Sequence, residues 1–133
     1  MPKREPVVAR LVLALVCEIS RSILNQERFG THADTVILCC AIHVGHAEGR
    51  PMSASKLADY AGMPRPTVIR KLRELEACGA IERTAGGGFV MSRTHAFYGR
   101  GAMISEAARL IHKAAGKLSK MDSKGIAPRR AIR

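Results

Sequence analysis

The sequence predicts a mainly α-helical fold with one small β-hairpin, and three observations lead to it. Apolar residues recur at helical spacing through most of the chain. Only two short segments, "AIERT" and "GFVMS", alternate as strands do, and they are joined by Ala85-Gly86-Gly87-Gly88. The breaks between periodic segments hold glycine, proline or a capping residue. With 133 residues, of which 47% are hydrophobic and 25% charged, residues 1–133 suit a single domain with one core. Aromatic residues are only 4%, without tryptophan, so the core is aliphatic and a stacking platform for single-stranded nucleic acid is not expected.

The elements follow in order. Pro6 suits the first turn of a helix, and Val8, Leu11, Val12, Leu15, Val16, Ile19 and Ile23 continue it to about Gln26 before Gly30 ends it. Thr31 with Asp34 forms a capping box for a second helix through "TVILCCAIHVGHA", and "EGRP" breaks it. Ser53 caps a short third helix, "ASKLADYA", closed by Gly62. Arg65 to Cys78 form a fourth helix ending at Gly79. After the hairpin, a last helix runs from about His95 to Met121, and residues 122–133 read as a basic disordered tail. Segments 6–29 and 95–121 are the expected dimerisation helices, and 51–92 the functional unit.

Charge narrows the partner. The net charge is +11: residues 1–49 carry five basic and five acidic groups, residues 50–83 seven and four, residues 84–112 three and one, and residues 113–133 seven and one. A neutral first third and an excess growing toward the C-terminus point to a polyanion, nucleic acid before membrane. "VVARLVLALV" is too short to span a bilayer, and Cys17, Cys39, Cys40 and Cys78 form no C-x-x-C pair, so a cytoplasmic protein with reduced thiols is expected.

Residues 53–78 read helix, glycine turn, helix, and the turn "AGMP" is short enough to force a steep crossing. Leu57 and Ala58 would face inward, as would Val68, Leu72 and Leu75, with Met63 plugging the gap. Arg65, Thr67, Ile69, Arg70 and Arg73 then face outward, with Lys71 at the flank. Arginine pairs twice with guanine, threonine bonds bases or phosphates, and isoleucine meets a thymine methyl. Pro66 is already helical in φ, and Pro64 keeps Met63 out of the helix, so together they stiffen the end that enters a major groove. Ser53, Ser55, Lys56, Lys71 and Arg73 would grip phosphates. Arg83, Thr84 and Arg93 flank the hairpin's glycine tip and would act from it as a basic wing.

As a whole, "SASKLADYAGMPRPTVIRKLRELEACGAIERTAGGGFVMS" resembles the winged helix-turn-helix of the MarR family of bacterial transcription regulators. It is similar, less specifically, to the IclR-type DNA-binding domain. The resemblance covers residues 52–92 and rests on "LA", "GMPRPTV", the L-x-x-L-x-x-x-G-x-I-x-R run and the glycine wing. It implies a two-fold dimer in which N- and C-terminal helices interlock. Lys71 stands where that family usually has an apolar residue, which implies a thinner core, and the segment after the wing is shorter than the usual pair of helices.

Other constellations carry less. Cys39, His43 and His46 share one face of the second helix and could offer three ligands to zinc, but no fourth is identifiable and core packing is the plainer reading. Cys17 could be a redox-sensing thiol, but a buried structural thiol is the plainer reading. Gly86 to Gly88 lack the Lys-Ser/Thr of a phosphate loop, and no catalytic set appears, so no enzyme activity or cofactor is expected. The leading expectation is a homodimeric, sequence-specific regulator of double-stranded DNA. A winged-helix protein-interaction adaptor and a low-specificity nucleoid or plasmid-maintenance protein are the alternatives.

Overall fold

The structure, a computed structural model, describes residues 3–24, 33–92 and 101–123, with the side chains of 22–24 and 101–103 left aside. Helices α1 (Arg4–Leu24), α2 (Ala33–Ala47), α3 (Ala54–Ala61) and α4 (Arg65–Ala77) are followed by strands β1 (Ile81–Arg83) and β2 (Phe89–Met91) and by helix α5 (Gly101–Ser123). The mainly α fold with one antiparallel hairpin is as expected from the sequence. Thr31, Gly30, Arg93 and residues 124–133 lie outside the described residues. Helix α5 continues two residues past the expected Met121, to Ser123.

Helix α2 is the spine. It is apolar nearly all round, and Val36, Leu38, Cys39, Ala41 and Ile42 are buried. A helix without a polar face must be covered on several sides, and α1, α3 and β2 all pack on it. Beyond it, α1 and α5 run antiparallel, since Arg4 at the start of one pairs with Asp122 at the end of the other at 3.0 Å.

The helix-turn-helix forms as its caps dictate. Ser53 Oγ accepts the Lys56 N–H at the start of α3. Gly62 takes the left-handed conformation, φ +67°, and the Met63 N–H returns to the Ala58 carbonyl. A side chain at Gly62 would strain that turn. Leu57, Ala58, Val68, Leu72 and Leu75 close over a core shared with Leu38, Ile42, Phe89 and Met91, with Met63 packed against it.

The hairpin has a third piece. Beside the register Ile81↔Met91, Glu82↔Val90 and Arg83↔Phe89, Met52 bridges Phe89, whose N–H donates to the Met52 carbonyl at 3.0 Å. The approach is close: a Cβ on Gly88 would stand 2.6 Å from the Pro51 carbonyl oxygen. The wing is therefore sewn to the residues that lead into α3.

Candidate nucleic-acid interface

Helix α4 presents the face that the spacing demands. Val68, Leu72 and Leu75 are buried, and Arg65, Arg70 and Arg73 are exposed on the other side. Thr67 and Ile69 are half-buried at its border. Among the described residues, no ion pair or hydrogen bond engages the side chains of Arg65, Arg70 or Arg73. At the N-terminus Pro64 (φ −59°, ψ 137°) is the cap residue, no side chain caps the helix, and the first turn closes through Val68 N–H to the Pro64 carbonyl. The two prolines thus start the helix without an Asp or Ser that would occupy its first N–H groups.

Two of the expected contact residues have partners within the protein. Lys71 does not join the outward arginines: its side chain is 11% exposed, and Nζ donates to Thr35 Oγ1 at 3.2 Å and pairs with Asp34 Oδ2 at 3.2 Å. The core is not thinned there, because the alkyl stem fills space while the ammonium reaches a partner on α2. Thr84 is likewise committed to the wing itself. Its hydroxyl donates to the Gly88 carbonyl and accepts the Gly88 N–H, each at 3.1 Å, closing the tip.

The remaining candidates fall into two groups. Ser55 and Lys56 are exposed at the start of α3, and Ser53 is exposed while serving as its cap. Arg83 is exposed but paired with Glu76 at 3.1 Å and lies over the Phe89 ring at 5.1 Å. An exposed pair of this kind contributes about 0–1 kcal/mol, so it positions the guanidinium without holding it from another anion. Two further exposed side chains lie beside these candidates. Tyr60 is 61% exposed on α3, one turn from Lys56, and Arg50 is exposed just before the strand-like Met52. A lone tyrosine or arginine beside a turn carries no pattern by which a sequence could single it out.

The Cys39, His43 and His46 face is engaged within the fold. Cys39 is fully buried in the core, where burial first, then Cys40 and Cys78 nearby, push its thiol up to about 12. His46 Nδ1 accepts the Met91 N–H at 3.1 Å, tying α2 to the wing. Burial, and then His46, hold the His43 imidazole below its usual range. Among the described residues no three His, Cys, Asp or Glu side chains are grouped to hold a metal ion. Cys17 is half-buried on α1.

Residues 8–96, from the first turns of α1 past the wing, match the Crp-like helix-turn-helix domain. The chain belongs to that family. No curated protein matches it. Membership makes this Crp-like protein a DNA-binding transcription regulator of the winged helix-turn-helix kind, with double-stranded DNA as its partner. Among the described residues no helix is long and apolar enough to cross a membrane.

The ion pair at Lys71 gives a measurable asymmetry in the Crp-like domain. Asp34 is 47% exposed and Lys71 only 11%. Removing Asp34 strands the more buried charge, whereas Lys71→Met removes that charge and keeps the volume. Asp34→Ala is expected to cost about 1–2 kcal/mol in urea unfolding, and Lys71→Met less than about 1 kcal/mol. Burial raises the Asp34 pKa, but the Lys71 hydrogen bond and charge and the Thr35 N–H outweigh it, so the net change is downward. A depressed carboxyl contributes stability above its unfolded pKa, about 3.9, and loses it as pH falls through the folded value. Lys71→Met should therefore show a shallower loss of stability between about pH 5 and the folded-state pKa.

Proposed function

We propose that the protein is a sequence-specific regulator that binds a pseudo-palindromic duplex as a homodimer with MarR-like organisation. The observation that carries this is the exposed, unengaged trio Arg65, Arg70 and Arg73 opposite the sealed Val68, Leu72 and Leu75. Arg65, Arg70, Thr67 and Ile69 read bases from the major groove; Ser53, Ser55, Lys56 and Arg73 hold phosphates; Arg83 and Arg93 act from the wing. The role is binding in the cytoplasm, without catalysis.

Helix α5 supports the dimer. Ile104, Ala108, Ile111, Ala115 and Leu118 follow one another by steps of four and three, the spacing of a coiled-coil seam. Ile104 and Ile111 are 51% and 47% exposed, and Val8, Val12 and Leu13 are exposed on α1. The charged side chains of α5 lie off that seam, so two copies of a strongly basic protein could meet there without repulsion.

Selection of bound fragments from genomic DNA, followed by footprinting, tests the proposal. Two protected half-sites about 34 Å apart are expected. Equal retention of random duplexes would favour the nucleoid-type reading, and weak retention abolished by salt would favour the adaptor. Residues 124–133 carry four cations and no acidic side chain. Deleting them should weaken binding to all duplexes alike and reduce the salt slope by about 0.9 for each phosphate no longer neutralised, measured by mobility shift at several salt concentrations.

A further inference from the structure

We propose that the cleft between α1 and α5 binds a small amphipathic anion, an aliphatic carboxylate by class. The cleft is open to solvent on one side and has a volume of about 210 Å³. Its apolar floor is Val7, Leu11 and Ala14 from α1 with Leu110 and Ala114 from α5. Arg10, Lys113 and Lys117 complete the lining, and no acidic residue contributes.

Of the cations on these two helices that form no ion pair among the described residues, Arg10, Lys113 and Lys117 line the cleft and Lys120 does not. On the same two helices Arg4 pairs with Asp122, Arg21 with Glu18 and Arg109 with Glu106. Arg10, Lys113 and Lys117 have no ion pair among the described residues. Three like charges around one cavity repel, and an anion seated between them relieves that repulsion while forming charge-assisted hydrogen bonds. The chain has little of its own to supply. Of its 11 acidic side chains only Glu27 lies outside the described residues, and none of the other ten lines the cleft.

The floor selects what the anion must carry. A hydrated inorganic ion would leave an aliphatic surface wet, and a duplex is too broad to enter a cleft of this size. A carboxylate with a short alkyl body meets both halves, burying chain on Leu11, Leu110 and their neighbours and placing its charge at the cations. The volume falls below the roughly 300–1,000 Å³ of drug-sized sites, which keeps the occupant small. A second copy is the poorer fit: it would bring another basic surface, and Lys113 and Lys117 lie across α5 from the Ile104–Ile111 seam. The proposal stands apart from the DNA-binding assignment, and its test uses no DNA.

Octanoate titrated into the full chain, followed by calorimetry and thermal melting, provides the test, with octanol, octylammonium and inorganic phosphate as companions. Saturable octanoate binding that raises the melting temperature is expected, with octanol, octylammonium and phosphate each at least tenfold weaker. The double variant K113Q/K117Q should weaken octanoate at least tenfold and K120Q, on the same helix outside the cleft, should not. Equal binding of octanol, equal binding of phosphate, or octanoate affinity unchanged in K113Q/K117Q overturns the proposal. So does the absence of octanoate binding together with a shift in the monomer–dimer balance of K113Q/K117Q by sedimentation, which would assign the cleft to a second copy. Circular dichroism of the variants confirms that each is folded before affinities are compared.

Discussion

Arg70→Ala is expected to weaken binding to the selected duplex by about 1–3 kcal/mol, roughly fivefold to 150-fold, and to relax base preference at one position of each half-site. The side chain is exposed and bonded to nothing described, so its removal leaves no orphaned partner and creates no cavity. Urea unfolding of the variant should therefore match the parent within about 0.5 kcal/mol. Competition mobility shifts with single-base variants of the selected site supply the second measurement. Unchanged discrimination at every position would show that another residue reads the sequence. A uniform loss across all duplexes would make Arg70 a phosphate contact instead.

Leu72→Ala should behave in the opposite way. Leu72 is buried between Val68 and Leu75 in the core shared by α2, α3 and the wing. Truncation removes apolar packing and leaves a void that the helix cannot readily fill, because the adjacent Lys71 pair ties this stretch of α4 to α2. A cost of about 2–5 kcal/mol is expected by urea or thermal unfolding. At temperatures where the variant remains folded, its base preference should be that of the parent. The two substitutions, two residues apart, thus separate the reading surface from its foundation.

Much of this organisation is legible along the chain. The step from Val68 to Leu72 to Leu75 identifies the buried face of α4, and the outward arginines follow from the helical period. Ser53, Gly62 and the "RTAGGGF" stretch mark their turns by local chemistry, which needs no knowledge of the fold. What stays hidden depends on distant partners. Lys71 reads as a surface cation because its neighbours on the helix are charged, yet its partners Asp34 and Thr35 stand 36 and more residues earlier. His46 shows a metal-like spacing along its own helix, while its bond goes to the backbone of Met91, 45 residues on. Met52 is a single residue of strand, too short for any alternation to reveal it. Thr84 beside three glycines reads as a reaching wing residue, although the loop's own backbone groups at Gly88 claim its hydroxyl first.

The stitching of Met52 and Pro51 to β2 divides the wing into a rooted half and an adjustable one. Gly88 admits no side chain, but Gly86 and Gly87 at the tip have open space around them. Extra residues introduced at Gly86 would lengthen the finger without disturbing the helices beneath. Descendants of this scaffold could thus acquire a longer reach along DNA through insertions at that one spot, with the reading helix left as it is.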